Sequence, residues 1–569
     1  MRGHPGGHGP PFPANHSHCG GGRARTRATA AQQLFWPHGR LPHGGHHRGD
    51  AADDLLPPGS LCAVVQRRPR RGASGSRLVR AHGRPAAAAR LIAGLAALAL
   101  AVSACTGLGP SRTPPELVAP AHYSLGTNPD QLSAADGVAQ RLALGAGAPP
   151  RWWESYQSEA LNALVDEGLS HNASFAAAQS SLRAAREQLR AQVGDTEMPS
   201  VDLGGTVLRQ RSLGVSGLPE QTFIANIFAA QVQGSYTFNL LGARQLADRA
   251  LAGRFQQQAY QLDATRRALA ANIVIATINA SSLQEQLTAT ERLVALGERR
   301  AEQVAARYAT GSASREEMLA AEQDAANAAA TLPGLRAQAL AVRHAQAVLL
   351  GRSPSDAPPP LSFDSLHLPD TVPVAIPSDL LHRRPDILAA EAALRASADD
   401  AGAATAELFP SLTLSAAYGR GGFDWSTFSS PVGAIWSASA GLTQPLFHGG
   451  ALRARKRGAE ANYEAAVALY RQTVLRAFED VADTLVALDE DANTLRQTQR
   501  AMAAAGAANQ ETTARYQLGS TQYFATLTAG QQYENSRVQC TRARAARLTD
   551  TAALFQSMGD APPPLQAVR

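Results

Sequence analysis

The sequence predicts a mainly α-helical fold with two pairs of β-strands, organised as one helix–strand–strand–long helix–helix unit present twice. Three observations carry this prediction. Arg307-Tyr308-x-x-Gly311-Ser312 recurs 208 residues later as Arg515-Tyr516-x-x-Gly519-Ser520, with Leu319, Ala321 and Gln323 recurring in register at Leu527, Ala529 and Gln531. Residues 243–309 and 451–517 each run 67 residues without proline, enough for ~100 Å of helix at about 1.5 Å per residue. Upstream of each long run lies a pair of segments with two-residue alternation, introduced in both copies by a Pro-Ser pair, Pro199-Ser200 and Pro410-Ser411.

In chain order, residues 1–84 are rich in Gly, Pro, His and Arg and show no periodicity, so they read as a disordered or mis-assigned extension, with a start codon placed too early. Nine of the fifteen histidines fall there, without the spacing of a metal site. Residues 85–104 read as an export signal: Arg77, Arg80, Arg84 and Arg90 precede an uncharged run from Leu91 to Ala104, too short to span a bilayer. That run ends in Leu98-Ala-Leu-Ala-Val-Ser-Ala-Cys105, a lipobox that predicts cleavage before Cys105 and a lipid anchor on its thiol. Residues 1–104 carry +11, against +6 for the whole chain, so residues 105–569 carry −5. The basic balance belongs to the removed part, and with it goes the case for a nucleic-acid partner. Besides the expected acylation site Cys105, Cys540 is the one cysteine left after the cut, so no disulfide framework supports the mature chain.

The mature chain then divides into a lipidated segment (105–154), a first repeat (155–356), a Pro-rich linker (357–377), a second repeat (378–560) and a tail (561–569). Strand pairs are expected at about 200–214 with 226–241, and 411–420 with 432–447. Tyr418, Phe423, Trp425, Phe428 and Trp436 suit a membrane-interface girdle; an ordinary hairpin with an aromatic cluster is the other reading. Four strands close no barrel, so a single chain would leave edges exposed in lipid and several subunits must share one. In the second long helix Tyr463, Val467, Tyr470, Val474, Phe478, Val481, Leu485, Leu488, Ala492 and Leu495 follow coiled-coil steps of four and three. At Arg383-Arg384-Pro385-Asp386, proline should begin a helix with Asp in its first turn.

No catalytic constellation is present. His344, His367, His382 and His448 are scattered, no Ser occupies a Gly-x-Ser-x-Gly elbow, and Lys456 is the only lysine. No metal site or cofactor is expected. Three readings remain open on the residues alone: a membrane protein whose strands join a barrel shared by several subunits, a lipid-anchored periplasmic coiled-coil bridging protein without a pore, and, for want of a site least favoured, an exported lipoprotein enzyme.

Residues 105–560 resemble the TolC-like outer-membrane factors of tripartite efflux and type I secretion, in their lipoprotein branch of OprM-like and NodT-like proteins. The resemblance rests on the lipobox, Trp152-Trp153, Leu381-His-Arg-Arg-Pro-Asp-Ile387 with Ala390-Glu391, Phe409-Pro410-Ser411-Leu412, Gln444-Pro445-Leu446-Phe447 with Gly449-Gly450, and the doubled turn. It implies a homotrimer with a 12-stranded outer-membrane β-barrel, continuous with a periplasmic α-helical barrel. That assembly would be a passive conduit fed by an inner-membrane pump and a periplasmic adaptor, in contact with outer-membrane lipid. It places the turns at the periplasmic tip, where Arg307, Tyr308, Gly311, Glu316, Glu317, Arg515, Tyr516, Gly519, Thr521 and Gln522 would form the gate and adaptor contact. Many relatives carry an acid just after the second turn glycine; Gly519-Ser520-Thr521-Gln522 is neutral, which puts a carboxylate ring there in doubt. Arg307 and Arg515 could hold neighbouring helices or cap their own, and the two roles are compatible.

Overall fold

The computed structural model describes residues 108–559, apart from 118, 121, 124–131, 133, 135–137 and 214–221. The expected lipid-anchor residue Cys105, the export signal and both termini lie outside these residues.

Each repeat contributes short helices, two strands, one long helix and a returning helix. The first has α1 (Glu159–His171), α2 (Ala173–Glu197), β2 (Ser200–Leu213), β3 (Thr222–Asn239), α3 (Ala243–Ala309) and α4 (Arg315–Leu349). The second has α5 (Pro377–Arg383), α6 (Pro385–Ala406), β5 (Ser411–Gly422), α7 (Trp425–Ser429), β6 (Ala434–Thr443), α8 (Ala451–Gln517) and α9 (Tyr523–Met558). The opening helical run breaks at Asn172, whose side chain accepts from Phe175 N at 2.9 Å and so starts α2 as an N-cap. Its counterpart breaks at Arg384, because Pro385 cannot continue α5 but can begin α6.

Both long helices span 67 residues. They start behind a left-handed glycine, Gly242 at φ 70° and Gly450 at φ 81°. The coiled-coil face of α8 packs inward: Tyr470, Val474, Val481, Leu485, Leu488, Ala492 and Leu495 are buried, and Tyr463, Val467 and Phe478 lie half-buried against the core. Axes approach closely where residues are small. A Cβ added at Gly253 of α3 would lie 3.0 Å from Ala396 Cβ and 3.3 Å from Ala392 O of α6.

The main core sits at mid-length of the long helices, around Ile273, Val274 and Ile278 of α3 and Val474 to Leu488 of α8. The stretch expected as a Pro-rich linker is part of it. A strand β4 (Thr371–Val374) pairs in parallel with β1 (Arg141–Leu144), and Phe363, Leu366, Val372 and Val374 are buried. Neither short strand was anticipated, since four residues carry too little alternation to read. Trp152 and Trp153, in a one-turn helix Trp152–Tyr156, are buried in the same core, and Trp152 stacks on Phe555 with centroids 5.3 Å apart. Among the described residues no helix is long and apolar enough to cross a membrane, and no group of His, Cys, Asp or Glu could hold a metal ion.

Candidate functional site: sheet faces and helix tips

The four long strands form one antiparallel sheet in the order β2-β3-β5-β6. Register decides what each face carries, because residues directly opposite in an antiparallel pair point the same way. Val232, Tyr418 and Trp436 lie in one row, as do Tyr236, Leu414 and Ala440, and Phe238, Leu412 and Leu442. Val201, Leu203 and Val207 of β2 extend this face. The other face carries Asp202, Thr206, Gln231, Gln233, Ser235, Thr237, Thr413, Ser415, Ser437, Ser439 and Thr443, with glycine and alanine between them. Apolar exceptions on it, Leu208, Ile227 and Ile435, fall toward the end remote from the helices. Cations on the apolar face, Arg209, Arg211 and Arg420, fall at that same end.

An apolar face of this kind would be buried in a soluble protein. Here it is not: Trp436 is 78% exposed, and Leu203, Val207, Tyr418 and Leu442 are exposed as well. Strands β5 and β6 have 12 and 10 residues, the length a tilted strand needs to cross the hydrocarbon. Apolar outside, polar inside and aromatic at the ends is the pattern of a membrane barrel wall.

Of the five aromatics singled out from sequence, Tyr418, Phe423, Trp425 and Trp436 are exposed. Phe428 is half-buried in a cluster, 5.3 Å from Trp425 and 6.4 Å from Phe228 by ring centroid. All five sit at the remote end. Sequence reading missed a second group at the helix end, where Tyr236 and Phe238 meet edge-on at 4.4 Å and Phe447 is fully exposed. Two-residue spacing marks Tyr236 and Phe238 as same-face neighbours, so the signal was there.

At the opposite end of the long helices the repeated turns are geometrically alike. Gly311 N donates to Tyr308 O at 2.9 Å and Ser312 N to Arg307 O at 2.8 Å; Gly519 N donates to Tyr516 O and Ser520 N to Arg515 O, both at 2.9 Å. This double bond around a left-handed glycine is the Schellman helix stop. Arg307 Nη2 donates to Ser312 O at 3.0 Å, and Arg515 Nη2 lies 2.6 Å from Glu511 Oε1, so in one chain both guanidiniums bind their own hairpin. Glu317 is committed to a capping box with Ser314, leaving Glu316 exposed. Thr521 and Gln522 precede α9, with Gln522 as its N-cap residue.

Residues 164–352 and 376–560, nearly the whole of both repeats, match the sequence profile of the family described as outer membrane efflux protein. The chain belongs to that family. It is 31% identical over 411 residues to outer membrane protein OprJ of Pseudomonas aeruginosa, covering 68% of this chain and 81% of OprJ. The pyoverdine export outer membrane protein OpmQ of the same species is 28% identical over 424 residues, covering 72% and 87%. Among solved structures, that of the outer-membrane channel OprN superposes with a TM-score of 0.67 at 26% identity, over 80% of this chain and all of that one. As an outer membrane efflux protein the chain is a channel subunit of the outer membrane reaching into the periplasm, and the reading as a pore-less bridge gives way to it.

Within this efflux-family scaffold, the Arg-Arg-Pro-Asp motif is a joint between helices. Arg384 makes paired bonds to Asp386, at 3.1 and 2.7 Å, and another to Asp480 of α8 at 2.9 Å. Its Nη1 also reaches Ala477 O and Ser557 O. Burial disfavours its charge, but the two carboxylates outweigh this and hold the guanidinium above its ordinary pKa. Arg383 pairs less closely with Asp379, at 3.7 Å. Further along α8, burial, reinforced by the charge of and hydrogen bond with Asp550, pushes Asp491 up to about 7. Single-sequence reading could not have found either long-range partnership, because nothing in the local pattern marks it.

Proposed function

We propose that three copies of this chain close a twelve-stranded barrel in the outer membrane, whose polar interior continues into the tube formed by the long helices. The duct is passive and does no chemistry: substrates arrive from an inner-membrane pump through a periplasmic adaptor that meets the repeated turns. The observation that carries this reading is the four-stranded sheet with one bare apolar face, one polar face and two unpaired edges. Lipid covers the first, water the second and neighbouring copies the third. Arg307, Tyr308, Gly311, Glu316, Arg515, Tyr516, Gly519, Thr521 and Gln522 then form the tip and its adaptor surface. Glu317 and both arginines shape the turns rather than face the aperture.

Cys105 carries the lipid anchor in this reading. Its support is the path of the strap that follows it: Leu108 O is 3.5 Å from where a Cβ on Gly402 would lie, Arg112 pairs with Asp399 at 3.2 Å, and Tyr463 donates to Ser111 O at 3.0 Å. The strap therefore runs beside the ends of α6 and α8 nearest the sheet, within reach of the membrane surface.

Purified protein in detergent should have the mass of a trimer, show heat-modifiable β-structure and pass current in planar bilayers. A sheet-free monomer with no conductance would overturn the proposal. Lipidation is tested separately by Cys105→Ser behind a non-lipoprotein signal, which should abolish acylation as read by mass spectrometry.

A further inference from the structure

The channel reading accounts for the sheet and the tips but leaves one charged surface unused. The first two turns of α8 hold Arg453, Arg455, Lys456 and Arg457 with no acid until Glu460, and Lys456 is the only lysine of the chain. Arg453, Arg455 and Arg457 are exposed, and Lys456 lies 3.6 Å from Glu460. Cations at this end of a helix oppose its macrodipole, so the arrangement costs stability unless an outside anion compensates. At the 208-residue offset only Arg457 has a cationic counterpart, the exposed Arg249, while Arg453, Arg455 and Lys456 correspond to Gln245, Ala247 and Asp248, so the basic cluster belongs to the second repeat alone.

Placement says which anion. Helix α8 begins eight residues after β6 ends at Thr443, just past the exposed Leu446 and Phe447, so at about 1.5 Å per residue the patch lies within ~10 Å of the helix start, close beneath the apolar wall. That is the depth of lipid headgroups. Direction follows from the strap: Glu464 and Arg471 of α8 line the cleft beneath Ser111 to Pro115, and Arg457 and Arg453 continue that same face at steps of seven and four. The strap climbs toward the expected lipid anchor, so this face looks outward to the membrane and not into the duct.

We infer that the basic start of α8 binds the phosphate headgroups of anionic phospholipid in the periplasmic leaflet of the outer membrane. This rests on the barrel reading above. The occupant is a lipid because the patch is continuous with the bare apolar face, which supplies the acyl-chain contact that a free phosphate would lack. Each cation at such a surface adds roughly a few-fold to binding, and the attraction falls with salt.

The test uses the full-length protein, reconstituted in nanodiscs of mixed phosphatidylglycerol and phosphatidylcholine, extracted mildly, and examined for retained lipid by native mass spectrometry. The unaltered channel should retain phosphatidylglycerol over phosphatidylcholine by about tenfold. Arg453→Gln/Arg455→Gln/Lys456→Gln/Arg457→Gln should erase the preference, since Gln keeps helix propensity, while Arg299→Gln/Arg500→Gln, far along the rods, should keep it. Equal retention of the two lipids by the unaltered channel, or an undiminished preference in the quadruple variant, overturns the inference while conductance still stands. Failure to form a conducting β-rich oligomer would instead remove the barrel reading, and this inference with it.

Discussion

Gly311 and Gly519 show what a single residue contributes to a helix a hundred ångströms long. Their φ values of 76° and 70° lie in the left-handed region, and no atom sits within 4 Å of where a Cβ would be added. Replacement by alanine therefore brings strain without a clash, about 1–2 kcal/mol at each turn. Gly519→Ala should raise amide exchange across residues 515–523 and leave the thermal midpoint nearly unchanged, because the turn is remote from the core; Gly519→Asn should recover most of the protection. Arg384 is the opposite case, a side chain tying α6 to α8 and α9. Arg384→Met leaves the half-exposed Asp386 and Asp480 without their cation and should lower stability by roughly 1–2 kcal/mol, read as an earlier thermal transition with the oligomer intact below it. Asp491 gives a pH signature. Its folded pKa is raised, so the stability its proton confers is full below the unfolded value near 4 and is lost as pH climbs through about 7. Asp491→Asn should accordingly raise the midpoint by a few degrees at pH 8 and leave it alone at pH 4, where the native carboxyl already holds its proton.

At the scale of elements, the sheet makes a prediction that two adjacent residues can test. Ala416 shares a row with Ala438 on the apolar face, whereas Ala417 pairs with Ser437 on the polar one. Ala416→Arg puts a cation near the middle of the hydrocarbon at a cost of about 2–4 kcal/mol and should reduce assembled protein in the membrane. Ala417→Arg should assemble normally and shift ion selectivity toward anions in bilayer recordings. Equal effects of the two substitutions would show that the faces are not what register makes them. The long helices were legible from sequence because each 67-residue stretch lacks proline and ends at the duplicated Arg-Tyr-x-x-Gly-Ser turn. The strand pairs were legible because both copies announce them with the same Pro-Ser pair. What stayed hidden depends on contacts between distant segments. The β1–β4 pairing joins residues 230 apart, and the Arg384–Asp480 bridge crosses 96 residues; neither leaves a local trace. The turn arginines had two possible kinds of partner on sequence, and only geometry shows that each binds its own hairpin within the chain.

For the whole molecule, the decisive quantity is the unpaired backbone at the two sheet edges. Strand β2 has 14 residues and β6 has 10, and each presents one side with no partner strand among the described residues. In water those groups bind solvent, but in hydrocarbon each unpaired group costs several kcal/mol, so insertion of one chain alone is prohibitively unfavourable. Barrel formation, membrane insertion and association must then be one event. The helical core differs, since its buried contacts between α3, α6, α8 and α9 lie within one chain. Refolding from denaturant into detergent should therefore separate into two phases. The helical signal should recover at a rate independent of protein concentration, and the β-signal and heat-modifiable band should follow at a rate that rises with it. If the sheet instead forms at the same speed over a hundredfold dilution, its edges are satisfied within one chain and the shared barrel is wrong.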